Sequence, residues 1–241
     1  MQADHIRNII AGSSNIVCLL GLKVSMDCGC LNYRQEDGLY DLELKYGYTP
    51  DEIFSASFYN TRPRQFFEFY QNEFLNRTGA PSACHETLAQ MEKDGILKTV
   101  ITRELFGLSK RAGCKRVIEL HGNIYHNRCP RCGKEYDIDY MKAANPIPLC
   151  ESCGIPVRPV VCMMGEMLNS KTIAKAADEV EKADTLLVLG CHLHSPLADN
   201  FLPYYKGKNL ILINEEKHFL DSRADYVINE KPADVLPLLY G

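Results

Sequence analysis

Four cysteines stand in two C-x-x-C pairs, Cys129/Cys132 and Cys150/Cys153, with residues 133–149 between them. This is the spacing of a structural zinc site. Two residues between cysteines permit a tight turn that aims both sulfurs at one ion. Two such turns complete a tetrahedral S4 shell with no open position for water. Pro130 and Gly133 flank the first pair and Gly154 follows the second, residues suited to such turns. A redox dithiol is the other chemistry open to the motif. A closed S4 shell holds a fold together and catalyses nothing, so a reacting group must be sought elsewhere. His121 follows an apolar run and precedes Gly122, and imidazole exchanges protons near neutral pH. His192 and His194 with Cys191 make an incomplete second metal set that lacks a fourth ligand. His5, His85, His126 and His218 read as surface or helix positions.

The 241 residues suffice for one sizeable core, or for a core domain with a small second one. A net charge of -4 supplies no field that would draw in nucleic acid or an anionic membrane. No apolar run reaches the length of a membrane span, and the polar start (Gln2, Asp4, His5, Arg7) does not read as a signal peptide. Cys18, Cys28, Cys30, Cys84, Cys114, Cys162 and Cys191 are scattered, several in apolar runs, as expected of buried free thiols in a reducing cytoplasm.

The elements that must position these groups alternate. Asn15 to Leu20 is a continuous apolar run ending at Gly21, the pattern of a parallel strand buried on both faces. Similar runs are Lys98 to Thr102, Val117 to Leu120, Thr185 to Leu189, Leu210 to Ile213 and Tyr226 to Ile228. Helical patterns fall at 2–12, 63–76, 82–93, 170–182 and 232–239. The alternation predicts an α/β fold with a doubly wound parallel, Rossmann-like sheet. In such sheets ligands bind beyond the carboxyl ends of the strands, so the residues after each strand matter most. Residues 31–61 read as a long loop with one short helix, and residues 123–159 carry the cysteine pairs. The expected division is therefore 1–30, 62–122 and 160–241 in a Rossmann-like domain, and 31–61 with 123–159 in a small zinc-binding domain.

In collinear order over nearly the whole chain, these residues resemble the sirtuin family of NAD-dependent protein-lysine deacylases. Glu119-Leu120-His121-Gly122 is similar to the family's E-L-H-G, and the cysteine pairs follow at the family's distance. Arg158-Pro159, Val161 and Gly165-Glu166 resemble K-P-x-V-V-x-F-G-E. Leu189-Gly190-Cys191-His192-Leu193 with Pro196 resembles G-T-S-L-x-V-x-P, and Ile213-Asn214 resembles the family's I-N. Arg34 resembles the end of P-D-F-R, and Pro81-Ser82-Ala83-Cys84-His85 fits a family helix. The resemblance implies His121 as catalytic base and structural Zn2+ on the four cysteines. It implies NAD near Gly21, Ser25, Arg34, Glu104, Gly190, Cys191, Asn214 and Glu215. It places an acylated protein or peptide substrate along Val161, Met163, Met164, Gly165 and Glu166.

Departures from the family pattern concentrate in the NAD pocket. G-A-G-x-S reads Gly21-Leu22-Lys23-Val24-Ser25, so a bulky lysine that prefers negative φ replaces a glycine. Its ammonium is either a phosphate ligand or an obstruction. T-Q-N-I-D reads Thr102-Arg103-Glu104-Leu105-Phe106, which puts a carboxylate for an amide and a ring where the family has a hydrogen-bonding acid. Asn32 for Asp and Leu31 for Pro alter the same pocket. Three readings follow: an NAD-dependent deacetylase or deacylase with a degenerate pocket, an NAD-consuming ADP-ribosyltransferase, and an inactive nucleotide- or protein-binding module.

Overall fold

A computed structural model describes residues 2–30 and 39–241. Among these the strands run β1 (Ile16–Leu20), β2 (Leu97–Thr102), β3 (Val117–Glu119), β4 (Gly122–Arg128) and β5 (Glu135–Tyr136). They continue with β6 (Arg158–Val161), β7 (Thr185–Leu189), β8 (Asn209–Ile213) and β9 (Tyr226–Ile228). The chain forms two compact units: residues 1–28, 80–120 and 169–241 make the first, and 29–79 with 121–168 the second. Residues 29–30, 62–79, 121–122 and 160–168, expected from sequence in the larger domain, fall in the second unit.

The first unit is a six-stranded sheet of order β3-β2-β1-β7-β8-β9, parallel throughout. Winding proceeds outward from β1 in one direction and from β7 in the other, so strand order reverses between β1 and β7. This is the doubly wound arrangement, and the reversal opens a crevice at the carboxyl ends of those two strands. Every residue of β1 and β7 is buried, as the unbroken apolar runs require. Alternate side chains serve two cores. Ile16, Cys18 and Leu20 pack with Ile6, Ile10, Leu88 and Leu236, while Val17 and Leu19 pack with Val180, Leu197 and Phe201. Helices Gln2–Gly12, Ala83–Lys93 and Pro232–Tyr240 cover the first face, and Ser170–Lys182 with Pro196–Phe201 the second.

The second unit holds the three-stranded sheet β5-β4-β6, antiparallel throughout. Beside it lies an aromatic core in which Phe54, Phe66, Phe67, Phe69, Tyr70 and Phe74 are essentially inaccessible. Phe54 stacks on Phe74 with ring centres 4.6 Å apart. Residues 39–61 are not the loop with one helix expected. They form the helices Leu39–Tyr46, Pro50–Ile53 and Ala56–Thr61. The second of these has a local cause in a capping box: Thr49 accepts from Glu52 N, Glu52 accepts from Thr49 N, and Pro50 fills the first helical position. The helix expected over 63–76 is α-helical only through Pro63–Phe69 and continues as a π segment, Tyr70–Leu75. In that segment buried Glu73 takes Lys45 Nζ and Tyr46 Oη at 2.7 Å each. Burial would raise the Glu73 carboxyl, but these partners outweigh it and hold it below its usual value.

Among the described residues no helix is long and apolar enough to cross a membrane. Gly122 opens β4 at φ 74°, and a Cβ there would stand 2.0 Å from Val160 O. Gly122→Ala should therefore destabilise the protein by about 2 kcal/mol or more. Urea unfolding would measure this, and an unchanged midpoint would contradict the close approach.

Candidate functional site

The two cysteine knuckles in the second unit share one hydrogen-bond pattern. Gly133 N donates to Cys129 O and Cys129 N to Lys134 O, at 3.0 and 2.8 Å. Gly154 N donates to Cys150 O and Cys150 N to Ile155 O, both at 2.8 Å. Each turn thereby folds its sulfurs inward. The four Sγ atoms lie within 4.8 Å of one another, and Cys132 Sγ is 3.6 Å from Cys150 Sγ. A tetrahedron with bonds of about 2.3 Å has edges of about 3.8 Å, so the set fits zinc. The donors also fit: four thiolates form a closed structural shell.

His121 precedes β4 in the same unit and is half-buried. Its carbonyl accepts from Cys162 N at 2.8 Å, tying it to the end of β6. Val161 and Met163 are buried, whereas Met164 is 37% exposed. Met164 N donates to Phe54 O at 3.0 Å and Ala56 N to Met164 O at 3.1 Å. Glu166 closes the turn through Gly165: its Oε2 accepts from Met163 N at 2.9 Å, and its other oxygen pairs with Arg158. β6 is an edge strand of its sheet, the kind of element that an extended peptide can join.

The carboxyl ends of β1, β7 and β8 meet in the first unit. Gly21 N donates to Leu189 O at 2.8 Å, and Lys23 N to Gly190 O at 3.3 Å. A Cβ on Gly21 would lie 2.3 Å from Gly190 O, so only glycine permits this contact. Lys23 sits in the helix Leu22–Asp27, and no described non-glycine residue has positive φ. The expected misfit of its backbone is therefore absent. Its Nζ pairs with Glu216 Oε1 at 2.5 Å and lies 3.5 Å from Glu215 Oε2. Burial would lower the ammonium pKa, but the two carboxylates outweigh it and raise it. Asn214 is buried and donates through Nδ2 to Glu216 O at 2.8 Å, with His192 Nδ1 at 3.3 Å. Ser25, also buried, donates to Leu22 O at 2.7 Å within its own helix. Cys191 is half-buried beside Gly21.

Glu104 follows β2 and is 2% exposed. Its Oε2 accepts from Phe106 N at 2.5 Å and its Oε1 from Leu108 N at 3.0 Å, so it organises the turn into the helix Leu108–Arg111. Burial outweighs these donors, and nearby Glu119 adds to it, pushing the carboxyl up to about 7. Phe106 is buried too.

Thus Gly21, Gly190, Cys191, Asn214 and Glu215 share one network with Lys23. Glu104 serves its own loop, and His121 belongs to the second unit. Arg34, Asn32 and Leu31 lie outside the described residues. The Cys191, His192, His194 metal set does not form. His194 turns to Asp199 at 3.4 Å, and the four cysteines are the only described group of three or more ligands that converge. Sequence reading missed Glu216 and Asp221 in this network. Acidic residues next to Asn214 were visible, but nothing in their spacing names partners on other loops.

A doubly wound sheet with glycines at its switch point, joined in one chain to a four-cysteine zinc module, defines a nucleotide-binding fold with a structural metal. The Sir2 family model matches residues 21–195. An NAD-dependent protein deacetylase of Clostridium acetobutylicum is 37% identical over 98% of this chain and 96% of its own length. A solved Sir2 homologue–NAD complex superposes with a TM-score of 0.83 at 31% identity, covering 98% of this chain and 91% of that one. A Sir2 complex with p53 peptide and NAD+ gives 0.81 at 25% identity, covering 99% and 97%. The chain belongs to the Sir2 family.

Metal analysis should find about one zinc per chain, and Cys150→Ser or a chelator should remove it and lower the unfolding temperature. A zinc-free protein of undiminished stability would contradict this. Glu104 sets a pH dependence of opposite sign to that of a paired carboxylate. Its native pKa of about 7 exceeds the ordinary 4.5, so the native state binds more protons between those values. Stability therefore falls as pH rises through that window. The urea midpoint should drop between pH 5 and 8 by more in the wild type than in Glu104→Gln; equal drops would exclude this role.

Proposed function

We propose that this chain is an NAD-dependent protein-lysine deacylase. The supporting observation is Glu119-Leu120-His121-Gly122 at the end of β3, in a chain 37% identical to an NAD-dependent protein deacetylase. In this reading the first unit is the Rossmann-like nucleotide-binding domain. Gly21, Ser25, Gly190, Cys191, Asn214 and Glu215 surround the dinucleotide, with Arg34 as a further ligand. Buried Asn214 Oδ1, which lacks a hydrogen-bond donor, supports a ligand there. Glu104 contributes by shaping its turn. The second unit carries the structural zinc and binds the acylated peptide. That peptide pairs as an added strand with the edge formed by β6 and residues 163–166, and Met163 and Met164 adapt to its apolar parts.

When bound, NAD supplies the ribose carbon that receives the acyl oxygen as nicotinamide departs. His121 acts as general base for a ribose hydroxyl, a task suited to imidazole near neutral pH. The free thiols outside the zinc set fit a reducing cytoplasm.

The test is nicotinamide release with and without an acetylated peptide. Peptide-dependent release, reduced about 10²- to 10⁴-fold in His121→Ala, is expected. Peptide-independent release would instead select NAD hydrolysis or ADP-ribosyl transfer. The inward turn of Glu104 favours a second reading, a chain that binds nucleotide without turnover. ADP-ribose binding with no nicotinamide release would select that one.

A further inference from the structure

Lys23 and His192 converge on one carboxylate. Lys23 Nζ holds Glu216 Oε1 at 2.5 Å, and His192 Nε2 lies 3.5 Å from Glu216 Oε2. Asn214 Nδ2 can only donate, so His192 Nδ1 at 3.3 Å accepts and the imidazole proton sits on Nε2, facing Glu216. Two donors, one from the helix after β1 and one from the loop after β7, thus flank the point where strand order reverses. The anion is the most exposed member of the group. The Glu216 side chain is 64% exposed, against 24% for Lys23 and 29% for His192.

Backbone groups do not supply the same service here. The N–H groups of Gly21 and Lys23 already donate to Leu189 O and Gly190 O. Lys23 and His192 are side-chain donors that this crevice offers an anion. On the inner side, Asn214 Oδ1 and Asp221 Oδ1 are buried without a hydrogen-bond donor. Asp221 Oδ1 is 3.9 Å from His192 Nδ1, beyond hydrogen-bond reach. The place thus combines two donors occupied by an exposed carboxylate with two buried acceptors that lack donors. A diphosphate suits the first pair, and sugar hydroxyls suit the second.

We infer that Glu216 is a built-in competitor for the nucleotide: a diphosphate displaces it and takes Lys23 and His192 as ligands. Lys23 is then a specificity determinant for the diphosphate, not an obstruction. This rests on the nucleotide-binding reading of the first unit. The exchange conserves the donors' hydrogen bonds while returning an exposed carboxylate to water. A diphosphate carries more charge than Glu216, so two donors hold it more strongly.

The test is calorimetric titration of the whole protein with ADP-ribose, and with adenosine as an uncharged control. Glu216→Gln keeps the shape of an exposed side chain, and Lys23→Met keeps its bulk. Glu216→Gln should bind ADP-ribose about two- to fivefold tighter, the equivalent of removing one exposed ion pair. Lys23→Met should bind it more weakly, and adding Glu216→Gln to Lys23→Met should yield less than Glu216→Gln alone. Adenosine affinity should stay the same throughout. ADP-ribose binding equally to wild type and both variants would overturn the competition but leave the nucleotide site standing. Tighter binding by Lys23→Met would show that the lysine obstructs. No ADP-ribose binding by wild type or Glu216→Gln would overturn the nucleotide reading and this inference with it.

Discussion

The backbones of Gly21 and Gly190 touch where β1 and β7 end, and the order of the first unit follows from that contact. With a Cβ on Gly21 only 2.3 Å from Gly190 O, any other residue would force the two loops apart. The hydrogen bonds from Gly21 N and Lys23 N to the end of β7 depend on the same approach. They fix where the chain leaves the sheet, and so where the helix Leu22–Asp27 starts and where Lys23 projects. Parallel strands buried on both faces cannot adjust by sliding, because a shift of one residue would exchange the two cores. The contact is thus both a packing constraint and the floor of the crevice.

Above that floor, charge has replaced backbone flexibility. A glycine at position 23 would offer an approachable backbone; a lysine offers a cation that must have a partner when no ligand is present. Glu216 and Glu215 supply it, and His192 with Asn214 extend the network across three loops. Glu104 follows a different logic. Buried and bonded to its own turn, it shapes the segment after β2 and presents no charge to solvent. Two departures that look equivalent in sequence therefore act in different ways, one at the mouth of the crevice and one inside a loop.

The second unit is held by means suited to its composition. Its strands are few and short, so the sheet alone buries little. Two equivalent cysteine knuckles and a cluster of stacked rings provide the rest. Gln71 adds a tie by donating to the carbonyls of Met141 and Ala144 at 2.9 and 2.8 Å, which anchors the helix Ile138–Ala143 to the π segment.

What could be read from the chain alone was whatever depends on neighbours in sequence. Burial on both faces makes the central strands β1 and β7 continuous apolar runs, and all six strands of the first sheet were visible within a residue at each end. Two C-x-x-C pairs announce their metal because the knuckle is local. Two of the three helices in 39–61 were also signalled locally, by Thr49, Pro50, Glu52 and Ser55, but the aromatic and polar composition of the segment obscured them. Pairings across the chain were decided by the fold. Lys23 and Glu216 stand 193 positions apart, and no pattern in either stretch specifies the other. Glu104 had the type of a pocket residue, and only the path of its backbone turned it inward. Residue type sets what a group can do. The tertiary structure sets which partner it meets, because side-chain charge carries no directional information until packing brings the loops together.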